Sequence, residues 1–134
     1  VVVDSDNSRV LIWNTFPTQD GAPADVVLGQ PDMTSDATGL ADDRFNYPYS
    51  AYSNGNQLFI ADSDNNRVLV WDSFPTTDGQ KADRVLGQAD FVSAVYQTSQ
   101  TGMSFPTGVY VDGNRLFVAD NDNRRYLIFL GAEE

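Results

Sequence analysis

Short apolar runs bounded by turn-forming residues recur along this chain. Leu58-Phe59-Ile60-Ala61 and Val68-Leu69-Val70-Trp71 are apolar at every position. A strand wetted on one face alternates polar with apolar, so these runs predict strands buried on both faces. No segment keeps a helical period for ten residues. In the middle of the chain the pattern predicts a strand over 50–53, a Gly55-Asn56 turn, and a second strand over 57–61. An Asp-x-Asp-Asn turn follows, then a third strand over 67–71, a loop of Pro, Thr, Asp and Gly, and a fourth strand over 84–87. Further on, 109–111 matches the first strand, Val1-Val2-Val3 reads as the tail of another, and Tyr126–Leu130 closes the series. The expectation is an all-β structure of about ten short strands with negligible helix.

The same signals return at a fixed offset of 58 residues without a gap. Asp4-Ser5-Asp6-Asn7 and Arg9-Val10-Leu11-Ile12-Trp13 recur as Asp62-Ser63-Asp64-Asn65 and Arg67-Val68-Leu69-Val70-Trp71. A third, decayed copy is Asp120-Asn121-Asp122-Asn123 with Arg125-Tyr126-Leu127-Ile128-Phe129. Phe16-Pro17-Thr18 returns as Phe74-Pro75-Thr76, Asp20-Gly21 as Asp78-Gly79, and Val27-Leu28-Gly29-Gln30 as Val85-Leu86-Gly87-Gln88. Four antiparallel strands in a unit of this length is the pattern of a β-propeller blade. The run from Leu58 to Trp71, and its copy from Leu116 to Phe129, resembles the NHL-repeat signature of strand, Asp/Asn turn, Arg and hydrophobic strand. Phe105-Pro106-Thr107-Gly108-Val109 is similar to the entry strand of such repeats. The resemblance covers the whole chain and implies a segment of a six-bladed propeller, with blade parts at 1–33, 45–91 and 103–130. Only about two and a half blades fit in the sequence.

Composition narrows the function classes. Asp and Glu outnumber Lys and Arg by 19 to 8, a net charge of −11, and Lys81 is the single lysine. Such a surface repels nucleic acids and anionic lipid, so neither nucleic acid nor membrane is an expected partner. There is no cysteine and no histidine, which removes disulfides, thiolate metal sites and the commonest general base. No stretch approaches the ~18 apolar residues of a membrane span. Few lysines, no cysteine and an Asp/Asn/Ser/Thr-rich surface point to an extracellular or periplasmic setting.

The Asp-x-Asp-Asn turns place oxygen donors at alternate positions, as calcium loops do. No Glu follows to complete the ligand set, so the reading taken is structural. Asp62 and Asp64 are expected to bond backbone amides while Arg67 ties the turn to a neighbouring segment. No cofactor is expected, calcium being the one alternative. Trp13, Trp71 and Phe129 occupy equivalent positions and are expected to be core wedges. Phe16-Pro17 and Phe74-Pro75 are expected to anchor their loops, with the Phe tucked in. Gly29 and Gly87 are expected to end strands.

Where the copies differ is more informative about function. Residues 33–45 and 91–103 share little, and in the implied propeller they link the outer strand of one blade to the inner strand of the next. Copy-specific loops on a repeated scaffold are where binding resides. The candidate ligand-binding residues are Asp42, Asp43, Arg44, Tyr47, Tyr49, Tyr96 and Gln97. The leading expectation is a non-enzymatic interaction scaffold for a protein or small-molecule ligand. One alternative is part of a metal-dependent lyase or hydrolase whose catalytic residues lie on blades outside this sequence. Another is a self-assembling filament or ring, because the sequence starts inside one blade and stops within another. The expected partners are accordingly other blades or other copies of the chain.

Overall fold

The structure, a computed structural model, describes residues 1–132. Its ten strands are β1 (Val2–Asp4), β2 (Arg9–Ile12), β3 (Val26–Leu28), β4 (Pro48–Ser53) and β5 (Leu58–Asp62), followed by β6 (Arg67–Trp71), β7 (Arg84–Leu86), β8 (Pro106–Asp112), β9 (Arg115–Asp120) and β10 (Arg125–Leu130). Helix among the described residues is one 3-10 turn, Ser63–Asn65, which carries the Asp/Asn segment from β5 to β6. The chain is all-β, as the apolar runs predicted. β6 has the predicted bounds, while β4 and β8 begin two and three residues earlier than read from the sequence.

The early starts share one cause. In β4 the pairing to β5 jumps from Pro48↔Asp62 to Ser50↔Ala61, and in β8 it jumps from Pro106↔Asp120 to Gly108↔Ala119. Proline brings no N–H to the ladder, and the residue after it is left over as a bulge that bends the strand. Tyr49 and Thr107 are those residues.

The strands form three antiparallel sheets in chain order: β1-β2-β3, β4-β5-β6-β7 and β8-β9-β10. Only the middle sheet has four strands. It is sandwiched between the others, and its side chains divide by the two-residue period of a strand. Leu58, Ile60, Leu69 and Trp71 join Val10, Ile12, Val26 and Leu28 in one core. Phe59, Val68 and Val70 join Val111, Leu116 and Val118 in the other. Burial on both faces is why β5 is apolar from Leu58 to Ala61 and β6 from Val68 to Trp71, the charged ends Asp62 and Arg67 pairing with each other. β10 has one packed face and alternates instead: Tyr126, Ile128 and Leu130 are exposed while Leu127 and Phe129 pack inward.

The loop between β6 and β7 crosses to the first sheet. The Gly79 N–H donates to the Val27 carbonyl, and Asp78 Oδ1 accepts from the Val27 N–H, both at 2.9 Å. Together they cover the open edge of β3. Phe74 packs into the first core from the same loop. Its twin departs from the expectation: Phe16 is 92% exposed, because among the described residues nothing packs on the side of β1-β2-β3 that would receive it. The aromatic wedges diverge likewise. Trp71 is fully buried, edge-on to Phe45 with centroids 6.2 Å apart, whereas Trp13 and Phe129 are half-buried.

Candidate functional site: the clamped linkers

The Asp/Asn turns are built around three Asp–Asn–Arg sets. Asp62 Oδ2 accepts from Arg67 Nε at 2.7 Å and from Asn65 Nδ2 at 2.9 Å, and its Oδ1 accepts the Asn46 N–H at 2.8 Å. The sets at Asp4–Asn7–Arg9 and Asp120–Asn123–Arg125 repeat the pairing, with Nε–Oδ2 distances of 2.7 and 2.6 Å. Asp62 therefore bonds a backbone amide as expected. Asp64 does not: its side chain is exposed, and its own N–H donates to the Asn46 carbonyl. Burial pushes the Asp62 carboxyl up to about 6, against the opposing pull of Arg67, the Asn46 N–H and Asn65. Asp4 is more open. Burial raises it too, but the bonds from Asn7 and Arg9 outweigh this and hold it below the usual carboxylate range.

Arg67 uses its other nitrogens to hold both linkers. Nη2 donates to the carbonyls of Ala41 and Arg44 in the linker before its sheet, and Nη1 donates to the Phe91 carbonyl in the linker after it. Arg9 binds the Met33 carbonyl at the same place in the first linker. Arg125 binds the carbonyls of Ser99 and Gly102 in the second, which are the repeat equivalents of Ala41 and Arg44. Asn65 donates to the Gly39 carbonyl and Asn123 to the Gln97 carbonyl, again equivalent positions. Every one of these acceptors is backbone, so linkers of unlike sequence follow the same path. A buried guanidinium with five fixed donors suits this task, since each carbonyl it takes up would otherwise be unpaired.

A second repeated feature is backbone strain. Tyr47 and Phe105, 58 residues apart, both have positive φ, at 52° and 47°. Bulky side chains rarely adopt that region. The Phe105 N–H is held by Asn66 Oδ1 at 2.9 Å, and Asn66 itself has φ 53°. The strained residues thus lie where one unit's turn meets the next unit's entry strand, and strain of this kind clusters at functional sites.

The seven candidate residues fall in three places. Asp42 leans toward the β6–β7 loop, with Oδ2 at 3.2 Å from Lys81 Nζ and its carbonyl accepting the Ala82 N–H. Asp43 and Arg44 form a loose surface pair at 3.8 Å. Tyr47 and the bulged Tyr49 stand exposed at the entry to β4, Tyr49 edge-on to Phe105 at 6.3 Å. Tyr96 is 75% exposed, and Gln97 is fixed by its backbone to Met103 and Asn123. No hydrogen bond joins the three groups. Phe105 and Asn66 complete the Tyr49 group; in the sequence Phe105 reads only as part of an entry strand and Asn66 only within the repeat signature, neither as a site residue. No three Asp, Glu, His or Cys side chains converge to hold a metal among the described residues. No protein-family model matches the chain, and no curated protein matches it.

Proposed function

We propose that the chain is a segment of an NHL-type β-propeller that serves as a non-enzymatic interaction scaffold, its ligand a protein or small molecule met on the linker side. The observation that carries this is the clamp. Arg67 and Arg125 fix two linkers of different sequence through backbone carbonyls alone, which leaves their side chains free to vary. A rigid base presenting variable loops is how repeat scaffolds generate recognition. Tyr47, Tyr49 and Tyr96 are the exposed aromatics beside those linkers, and tyrosine gives contact area at little entropic cost. The carboxylates that invite a calcium reading are already engaged: Asp4, Asp62 and Asp120 each hold an arginine. A net charge of −11 favours a basic or neutral ligand. An extracytoplasmic setting belongs to the same proposal.

Selection of a random peptide display library on the purified chain tests it. Enriched peptides should lose binding to the triple variant Tyr47→Ala, Tyr49→Ala, Tyr96→Ala while its melting temperature stays within a few degrees of wild type. Enriched peptides that bind the variant equally well would move recognition off the linker side. Turnover of ester or lactone substrates by the chain with added divalent metal would replace the scaffold reading with an enzymatic one.

A further inference from the structure

The sequence holds one Asn-Gly pair, Asn54-Gly55, and the fold puts it at the tip of the β4–β5 hairpin. The hairpin belongs to the middle sheet, which has a neighbour packed on each face, and Asn54, Gly55 and Asn56 are still exposed. An asparagine side-chain amide is an electrophile within reach of the next residue's backbone nitrogen, and their reaction closes a five-membered ring. Tethering makes such an attack far more probable than a bimolecular one. Glycine offers the least hindered nitrogen. A Cβ placed at Gly55 would meet nothing within 4 Å, so solvent hydroxide reaches its N–H freely.

The hydrogen bonds that shape the tip are local to it. Asn54 Oδ1 accepts the N–H groups of Asn56 and Gln57 at 3.0 and 2.8 Å, an Asx turn, and Nδ2 donates to Gln57 Oε1 at 3.1 Å. The Gly55 N–H donates to Ser53 Oγ at 3.0 Å. None of these bonds reaches outside Ser53–Gln57, so the tip opens without breaking the β4–β5 ladder, which starts at Ser53↔Leu58. The two donors on Oδ1 also polarise the Cγ carbonyl and face the oxygen on which negative charge develops during attack. Asp78-Gly79 is built the other way. Asp78 Oδ1 accepts the Val27 N–H and the Gly79 N–H donates to the Val27 carbonyl, both at 2.9 Å, so both reacting groups are anchored to another sheet. A carboxylate is also a poorer electrophile than an amide.

We propose that Asn54 is a site of spontaneous covalent modification in the folded chain, converting to aspartate and isoaspartate through a succinimide. Hydroxide takes the Gly55 amide proton, and the nitrogen forms a bond to Asn54 Cγ. The Cγ–Nδ2 bond then breaks, and the side-chain nitrogen leaves as ammonia with a proton from water. Water opens the ring at either carbonyl. Attack at Cγ restores the backbone and leaves an aspartate, whereas attack at the main-chain carbonyl leaves the chain running through Cβ and Cγ. The aspartate keeps an oxygen for the Asn56 and Gln57 N–H groups. The equivalent turn of the third unit already carries a carboxylate there, Asp112, which accepts from Arg115 Nη2 at 2.8 Å. The isoaspartate adds a backbone atom between β4 and β5 and moves the acceptor off the turn. Both products add a negative charge to an acidic chain, and only the second loosens the hairpin.

Incubation of the native chain at mildly alkaline pH tests this, followed by released ammonia, isoelectric focusing and peptide mapping, with the urea-unfolded chain as reference. The native chain should release one ammonia per molecule, at a rate that rises with hydroxide and stays within an order of magnitude of the unfolded rate. Isoaspartate should be confined to position 54. Asn54→Asp should release no ammonia over the same period and should melt with wild type. Position 78 should form isoaspartate in the unfolded chain alone. A native chain that keeps Asn54 intact while the unfolded chain converts would overturn the proposal. So would native conversion led by another asparagine, or isoaspartate at position 78 of the native chain.

Discussion

Arg67 and Asp62 form an ion pair at 2.7 Å in which neither side chain touches solvent. The pair sits between two linkers, and the guanidinium satisfies three carbonyls besides the carboxylate. Breaking a buried pair from one side strands the other charge, which costs about 3–5 kcal/mol. Arg67→Met should lose at least that much, since the carbonyls of Ala41, Arg44 and Phe91 lose their donor as well. Arg125 pairs with the buried Asp120 from a side chain that is 29% exposed, so Arg125→Met should cost clearly less. Urea unfolding of the two variants checks the order; equal losses would mean that burial between two linkers adds nothing.

The same carboxylate sets a pH dependence. Burial places Asp62 at about 6 in the fold, above its ordinary 3.8. A group raised in the folded state binds its proton more tightly there than in the unfolded chain. Its contribution to stability is therefore full below about 4 and is lost as pH rises through about 6. Asp4, Asp32 and Asp90 are lowered and act in the opposite sense, below 3.8. Carboxyl carbon NMR should show Asp62 titrating near 6. Between pH 4 and 6.5 the melting temperature of Asp62→Asn should trend more positively with pH than that of wild type.

Trp71 fills the core between the first two sheets, where removal of a large aromatic costs about 3–5 kcal/mol. Trp71→Ala should show that loss in a thermal melt. Trp13→Ala, its half-buried twin, should lose less than half as much. A Trp71 variant that melts with wild type would place the indole in solvent and argue for a ligand role.

Much of the fold was legible because the repeat is so regular. β6 was read to the residue, since Arg67 and Trp71 bracket an unbroken apolar run. What sequence could not supply was environment. Phe16-Pro17-Thr18 and Phe74-Pro75-Thr76 are identical tripeptides, yet one is bare and the other packed, because only the second has a sheet beside it. The candidate residues were legible as members of the linkers and entry strand, and not as a constellation. The linkers are held through their carbonyls, which every residue possesses, so no side-chain pattern could show that Asp42 would turn to Lys81 while Tyr49 turned to Phe105.

Gly29 and Gly87 end β3 and β7 with φ of 83° and 91°, a region where any Cβ is strained. Their neighbours differ. A Cβ at Gly29 would overlap the Phe45 ring and lie 2.8 Å from the Ser8 carbonyl, both fixed in the core. The three atoms nearest a Cβ at Gly87 all belong to the side chain of Met103, at 2.7–2.9 Å, and a thioether chain can move. Gly87→Ala should cost about 1–2 kcal/mol for the backbone, and Gly29→Ala about 3 or more with the clash added. Chemical denaturation of both variants decides whether ring rigidity matters here.

Calcium should leave the chain's stability unchanged, despite three Asp-x-Asp-Asn turns. A calcium site needs six to eight oxygens directed at one point. In the middle turn Asp62 Oδ2 is directed instead at Arg67 Nε, and its Oδ1 at the Asn46 N–H, so a guanidinium stands where the cation would sit. Asp4 and Asp120 are committed to Arg9 and Arg125 in the same way. Binding calcium would require expelling the arginine, which in the middle unit also releases three linker carbonyls into a buried site. The repulsion between Ca²⁺ and a guanidinium a few ångströms away opposes this further. Melting curves with millimolar calcium and with chelator should superimpose to within a degree. A chelator-sensitive melt that disappears in Asp62→Asn would show that the turn can exchange its arginine for a metal.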